Sequence, residues 1–562
     1  MKLSLKSFLL IFICLLFNYM VFPQKRLMKE AKKQYTMYEY KNAQETYLKV
    51  AEKGYKSLEL FKNLGNSYYF NAQFVEASKW YKELMTHYEN EIDAEYYYRY
   101  AQTLKSKGNY ELADYYMDKF VEASPNDKRA QLFIEGRDYL KTIEKHSGKY
   151  QIKNIDINTS YTDFGTAFYG DSLVFSSSRK DNSSQKIDEW NKEAYLDFFI
   201  TSYNSTNNAL GEVEKWNPVF NTKFHESTPV FTKDKQTVYF TRSNTNYGHL
   251  ENANDYKVRT NKLKVYRSIR DEEGKWSAPE ELPFNNDNYS VAHPALNVSE
   301  DKLYFSSDME GGVGDSDLYE VTINEDGSFG TPQNLGNAIN TKGRETFPFI
   351  CKDNNLYFAS DGHLGLGGLD IYVFKLKEAS DSEYEVSNLG KPINSPSDDF
   401  AFIINTTTKR GFFSSNRPEG KGKDDIYAFV DESMLLKVGN DLANILNLKS
   451  IYFDLDKSFI RQDAEIELDK VIEIMKTHPN IKIDIRSHTD SRASFKYNIK
   501  LSERRAESTL NYIVKKGGIS RSRLLSSGYG EIQLLNKCAD GVACSEAAHQ
   551  LNRRSEFIII EQ

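Results

Sequence analysis

The sequence predicts a multidomain chain: an α-helical solenoid first, an all-β array of short strands second and a C-terminal α/β sandwich last. Three observations predict it. Near the N-terminus Ala43, Ala77 and Ala113 recur at spacings of 34 and 36. In the middle, an aromatic followed by small polar residues ends a strand-like run five times, at spacings of 65, 65, 53 and 55. The last hundred-odd residues then alternate strand-like and helix-like apolar patterns.

A chain of 562 residues is too long for one core. Its net charge of -7 with 27% charged residues is ordinary for an acidic protein and gives no support to nucleic-acid binding. Aromatics stand at 14%, with 38 Tyr and 34 Phe, a density that suits packed repeats. Lys2 and Lys6 precede ten apolar residues from Phe8 to Phe17, and polar sequence resumes at Gln24-Lys25-Arg26. This pattern predicts a secretory signal peptide over 1–24, too short to span a bilayer. No later apolar run reaches eighteen residues, so the exported chain is expected to be soluble in the periplasm.

Residues 25–148 read as helical repeats. Each recurring Ala is preceded by Tyr40, Phe74 or Tyr110 and followed by Tyr47, Tyr81 or Met117. A small residue in this position lets two helices approach closely. The second unit adds Leu64-Gly65 and Tyr68, and the third ends at Pro125. Tyr96, Tyr97, Tyr98 and Tyr100 either line a concave surface that holds a protein segment or pack between helices.

Residues 149–432 change to short strands. The five segments centre on Phe175-Ser176-Ser177, Phe240-Thr241-Arg242, Phe305-Ser306-Ser307, Phe358-Ala359-Ser360 and Phe413-Ser414-Ser415. Three units close in register with Asp317-Leu318-Tyr319, Asp370-Ile371-Tyr372 and Asp425-Ile426-Tyr427. The strand near Gln151 to Ile157 is expected to complete the last unit, which would remove an exposed sheet edge. The loops Gly311-Gly312-Val313-Gly314-Asp315 and Gly365-Leu366-Gly367-Gly368 lack the follow-on residues of a phosphate cradle and read as turns.

A linker over 433–446 leads to the terminal domain, 447–562. It opens with the strand Ile451-Tyr452-Phe453-Asp454. Ala464, Leu468, Val471, Ile472 and Met475 mark one helix, stopped by Pro479; Ile499, Ala506, Leu510 and Ile513 mark a second, ended by Gly517-Gly518. Between them Ile481, Ile483 and Ile485 alternate and lead into Arg486-Ser487-His488-Thr489-Asp490. Asp490 thus ends a strand and Arg505 lies on the following helix. A carboxylate and a guanidinium together suit a zwitterion, because Arg takes a carboxylate bidentately and a fixed Asp accepts from an ammonium. The alternative is an exposed ion pair, which contributes roughly 0 to 1 kcal/mol. His488 has no nucleophile nearby and reads as a structural hydrogen-bonding group.

Cys538 and Cys544 bracket a five-residue loop that an oxidising compartment would close with a disulfide; Cys351 stands alone in an apolar run. Two cysteines without a histidine pair do not make a zinc site, so no metal is expected. No G-x-S-x-G elbow or H-E-x-x-H helix occurs, and His225-Glu226 lacks a second histidine. No catalytic residue and no cofactor are expected.

These motifs carry resemblances. The N-terminal repeats resemble a three-unit tetratricopeptide (TPR) array, and the middle resembles a PD40 or WD40-like β-propeller of five or six blades. His488-Thr489-Asp490, then Asn498 through Leu501-Ser502 to Arg505-Ala506, then Asn552-Arg553-Arg554 resemble the OmpA C-terminal domain family. That resemblance implies non-covalent binding of peptidoglycan, with the zwitterionic end of diaminopimelate held by Asp490 and Arg505, assisted by Asn498 and Thr489. Arg554 is a further candidate contact; with Arg553 and Glu556 it flanks the apolar strand Phe557 to Ile560, and bracing of the fold is its alternative. Many family members carry Gly where Arg486-Ser487 stands. The order of the three regions is similar to PorE-type components of Bacteroidetes type IX secretion, although those carry a further small sandwich where only Ser433 to Leu448 stands here. The resemblance implies a non-enzymatic, outer-membrane-associated scaffold whose partners are peptidoglycan and outer-membrane or secretion-complex proteins. A general envelope-integrity or adhesion scaffold, or a propeller-type hydrolase or sensor, are the alternatives.

Overall fold

The computed structural model describes residues 24–180, 187–243, 249–253, 256–375, 386–432, 436, 438–446, 448, 451, 453 and 456–562. The expected signal peptide lies outside them but for its last residue. The chain falls into two compact units: residues up to Ser147 with Ile152–Val430, and Gly148–Gln151 with Asp431–Gln562.

The first unit opens with helices α1 (24–36), α2 (Tyr40–Ala51), α3 (Leu58–Tyr69), α4 (Phe74–Tyr88), α5 (Ala94–Lys105), α6 (Tyr110–Ala123), α7 (Lys128–Glu135) and α8 (Tyr139–His146). Ala43, Ala77 and Ala113 are fully buried, as are Tyr47 and Tyr81. Close approach explains the small residues: a Cβ on Gly65 would stand 2.5 Å from the Tyr81 ring. The Ser57 hydroxyl caps α3 by accepting from the Leu60 N–H at 3.1 Å. Inside the array Asn66 Oδ1 accepts from Tyr81 Oη at 2.8 Å and Arg99 Nη1 at 3.2 Å, which satisfies polar groups that burial would otherwise penalise.

Strand β1 (Tyr150–Asn154) precedes a series of four-stranded antiparallel sheets. The first is β2 (Asp163–Phe168), β3 (Ser172–Ser177), β4 (Asp197–Asn204) and β5 (Ala209–Lys215). The second is β6 (Glu226–Phe231), β7 (Thr237–Ser243), β10 (Leu263–Ile269) and β11 (Glu280–Glu281), interrupted by the hairpin β8 (His249–Ala253) and β9 (Tyr256–Thr260). The third is β12 (Val291–Leu296), β13 (Lys302–Ser307), β14 (Asp317–Thr322) and β15 (Gln333–Asn334). The fourth is β16 (Glu345–Ile350), β17 (Asn355–Ser360), β18 (Asp370–Lys375) and β19 (Val386–Asn388). In the fifth, β20 (Asp399–Asn405), β21 (Arg410–Ser415) and β22 (Asp425–Asp431) take β1 as their fourth strand.

Each sheet repeats two devices. Its first strand carries a register shift beside a left-handed residue, Gly165, Thr228, His293, Phe347 or Ala401 in turn. An asparagine also locks each third strand by donating to a backbone carbonyl and accepting from the same residue's N–H. Asn221 does so with Phe198 at 3.1 and 2.7 Å, and Asn285, Asn340 and Asn394 do so with Val265, Leu318 and Ile371. Asn158, ahead of the first sheet, does it with Ile426 of the fifth at 2.7 and 3.0 Å. Cores fill the spaces between neighbours: Phe198 meets Phe240, Tyr239 lies with Phe305, and Tyr304 lies with Phe358. Phe175 of the first sheet shares a core with Phe412 of the fifth. The five first strands line a cavity of about 200 Å³, where Thr228 Oγ1 lies 3.2 Å from His293 Nδ1 and Phe347 stacks on that imidazole at 3.8 Å. Burial pushes the His293 pKa down to about 3.

The loop between β17 and β18 enters the helical array. Tyr98 Oη and Gln102 Nε2, the latter at 3.0 Å, donate to the Asp361 carbonyl, and Tyr110 Oη donates to the Leu366 carbonyl at 3.1 Å. Leu366 is buried in the helical core. A Cβ on Gly368 would reach 2.0 Å from Asp398 Oδ1 and 2.6 Å from the Phe74 ring, so this turn approaches its neighbours too closely for any side chain. Of the four tyrosines singled out in the sequence, Tyr98 therefore holds a segment of its own chain. Tyr100 is buried among helices, Tyr96 accepts from Asn66, and Tyr97 donates to the Glu89 carbonyl.

The second unit contains α9 (Leu442–Ile445), α10 (Gln462–Thr477), β23 (Lys482–His488), α11 (Phe495–Gly517), β24 (Leu524–Gly530), α12 (Glu546–Asn552) and β25 (Ser555–Glu561). β23 is central, parallel to β24 and antiparallel to β25. Ile483 and Ile485 point into a core with Leu468, Val471, Leu510 and Phe557. Gly518 ends α11 in the left-handed conformation, φ 68°. The expected strand at Ile451 to Asp454 falls partly outside the described residues; Ile451 and Phe453 are buried in the core. Cys538 and Cys544 form a disulfide, and Cys351 is buried and unpaired.

Candidate ligand site at the end of a central strand

The site begins where β23 leaves the sheet. The His488 N–H donates to the Arg554 carbonyl at 2.9 Å and the Thr489 N–H to the Gly530 carbonyl at 2.8 Å, so both flanking strands hold the strand end. The His488 ring is buried and stacks on Tyr529 at 5.5 Å. The Thr489 hydroxyl is buried, without a hydrogen-bond partner among the described residues. Asn498, on the first turn of α11, donates to the carbonyls of Asp490 at 3.0 Å and Ala493 at 3.1 Å and to the Glu531 carboxylate. These bonds fasten the Asp490–Ala493 loop to the helix.

Asp490 and Arg505 both sit in this corner, and neither is exposed: 6% and 0% of their surfaces reach solvent. An exposed ion pair is therefore the wrong description of them. Arg505 donates through Nε to the Lys457 carbonyl at 2.9 Å and through Nη1 to the His488 carbonyl at 3.4 Å, and its guanidinium lies 5.0 Å from the Phe453 ring centre. Burial, followed by the positive charge of Arg553, pushes its pKa down to about 10. Asp490 Oδ2 accepts from Arg492 Nη2 at 2.7 Å and Nε at 3.2 Å, and from Arg553 Nη1 at 2.6 Å. Burial alone would raise the Asp490 pKa, but the hydrogen bonds from Arg492 and Arg553 outweigh it and hold the carboxyl below its ordinary value.

Arg554 has partners of its own. It donates to Glu556 Oε1 at 2.9 and 2.6 Å and to the Gln533 carbonyl at 3.2 Å, which is the bracing arrangement. Two partners of Asp490 escaped the sequence reading. Arg492 follows Asp490 by two residues, and a turn pairing of that kind was there to be seen. Arg553 flanks the terminal strand in the sequence, and its contact with Asp490 spans 63 residues with no local signal.

Residues 452–547 match the model of the OmpA family. The C-terminal domain is an OmpA-family domain. The match takes in Thr489, Asp490, Asn498 and Arg505 and stops short of Arg553 and Arg554. Over 106 residues the chain is 42% identical to a peptidoglycan-associated lipoprotein of Legionella pneumophila, covering 19% of this chain and 57% of the relative. Over 108 residues it is 33% identical to outer membrane porin F of Pseudomonas aeruginosa, covering 19% and 29%. The chain thus spans little more than half of one curated relative and under a third of the other. Among solved structures, the peptidoglycan-associated lipoprotein from Burkholderia pseudomallei is similar with 24% identity and a TM-score of 0.19, covering 20% of this chain and 92% of that one.

Proposed function

We propose that this chain is a non-enzymatic scaffold of the bacterial envelope, anchored to peptidoglycan by its OmpA-family domain. The observation that carries this reading is a buried carboxylate, Asp490, and a buried guanidinium, Arg505, at one strand end within the matched family segment. The ligand is the zwitterionic end of diaminopimelate in the stem peptide: Asp490 accepts from its ammonium and Arg505 takes its carboxylate. Asn498 positions the loop, and the unpartnered Thr489 hydroxyl serves as a further donor or acceptor for the ligand. Proteins named for peptidoglycan association or the outer membrane among the relatives support an exported, wall-facing location.

The first unit then holds protein partners in the outer membrane or a secretion complex. Five repeats of the bulge and of the locking asparagine support a five-bladed propeller completed by β1, preceded by a TPR array. Because the β17–β18 loop already fills Tyr98 and Gln102, partner contacts belong to other surfaces of this unit.

Sedimentation of the full chain with purified peptidoglycan tests the anchor. Truncating one member of a buried, hydrogen-bonded charged pair costs about 2 to 5 kcal/mol, so Asp490→Ala and Arg505→Ala should each leave the chain in the supernatant. A variant that keeps the wild-type circular dichroism spectrum and still sediments normally would overturn the site.

A further inference from the structure

Arg492 stands where an incoming ammonium has to go. Asp490 Oδ2 already accepts three N–H groups, two from Arg492 and one from Arg553, while among the described residues Oδ1 receives only the Arg492 backbone N–H at 3.2 Å. The two guanidiniums are not equivalent. The Arg553 side chain is 4% exposed and is tied at the same time to Glu546 at 2.7 Å and to Gln550, so removing it from Asp490 would strand a buried charge. The Arg492 side chain is 37% exposed and can leave without that penalty.

Charge points the same way. Arg492, Arg553 and Arg505 all lie near the buried Asp490 carboxylate, with the exposed Glu546 on Arg492 and Arg553, and Arg553 already weighs against the charge on Arg505. A ligand ammonium added to this set would be a fourth cation. If Arg492 withdraws, the count returns to three. A landing place exists: Arg492 Nη1 lies 2.6 Å from Glu546 Oε2, and the Glu546 side chain is 66% exposed, so the arm keeps an ionic partner after letting go of Asp490.

We infer that Arg492 is a displaceable occupant of the ammonium position, and that ligand entry releases it from Asp490 while it keeps its existing bond to Glu546. The inference rests on the reading of Asp490 as the ammonium acceptor. It also sets selectivity. A ligand must bring a cation able to compete for Asp490, so a carboxylate alone does not open the site.

The test is calorimetric titration of the full chain with a soluble disaccharide-tripeptide ending in diaminopimelate, and with the same muropeptide acetylated on the free diaminopimelate amine. Apparent affinity falls by the fraction of time a site is competent, so an arm resting on Asp490 about nine-tenths of the time weakens binding about tenfold. Arg492→Ala should therefore bind the zwitterionic muropeptide about tenfold more tightly than wild type, with no gain for the acetylated one. Binding only by Arg492→Ala would support the same occlusion in its extreme form. If wild type binds and the variant binds equally or more weakly, the occlusion is overturned while the site stands. An equal gain for both muropeptides would overturn it too, since the effect would then be general electrostatics. If neither protein binds either ligand, the site reading falls and takes the inference with it.

Discussion

Glu556 and Asp490 give the OmpA-family domain a predictable response to acid. The His488 ring, with Nε2 3.5 Å away, and then Arg554 hold the Glu556 pKa down to about 2, while Asp490 is held below its ordinary value. A depressed folded-state pKa means that the native state favours the carboxylate. Its contribution to stability is therefore complete above the unfolded value and is lost as pH falls through the folded one. Urea denaturation of the domain should show a plateau from neutral pH to about 5 and a decline from there toward about 2. Glu556→Gln should cost about 1.5 to 3 kcal/mol at pH 7, the range for hydrogen bonds to charged groups, and the difference from wild type should vanish below about pH 2. A pH-independent difference would mean that Glu556 acts by packing alone. At this scale Asp490, Arg505 and Asn498 were legible because the chemistry sits in short motifs on a strand end and a helix. The Arg553 contact was not, since only the fold brings β23 and the segment before β25 together.

Among the elements, the β17–β18 loop is one joint between helices and sheets in the first unit, beside Trp190 against Tyr40 and His146 against the Asn388 carbonyl. Leu366 contributes its side chain to the helical core, so Leu366→Ala should destabilise that unit by about 2 to 5 kcal/mol. Hydrogen exchange should accelerate in α5 and α6, where Tyr98, Gln102 and Tyr110 reach the loop, and should be unchanged in α11 of the second unit. Protection unaltered in α5 and α6 would make the joint dispensable. The locking asparagines make a parallel case: Asn340→Ala leaves the buried N–H of Leu318 without its partner, at about 1 to 3 kcal/mol, while the Leu318 carbonyl keeps the Leu335 N–H at 3.0 Å. The period of small residues in the helices and the fivefold strand count were readable from hydrophobic pattern. The uneven spacing has a physical source, since the second sheet carries the β8–β9 hairpin and the first a long connection between β3 and β4. The asparagines escaped notice because they stand in connections with no apolar period. The glycine-rich loop read as a turn, and its sequence does not say what a turn is pressed against.

For the whole molecule, the division of labour is the claim to test. An anchor with one modest site gains hold when many copies share a fixed wall, because each further contact is made at high effective concentration. Protein recognition by the first unit needs no such gain and should survive loss of the anchor. Tagged wild-type chain, crosslinked in its native envelope, should therefore recover both peptidoglycan and outer-membrane protein. Arg505→Ala should lose the peptidoglycan and retain the protein. If the protein disappears together with the wall, the wall was the bridge between them, and the helices and sheets have no partner of their own. If no membrane protein is recovered with the wild type, the chain is a wall binder, and the business of its first unit has to be sought in the cavity that its five first strands line.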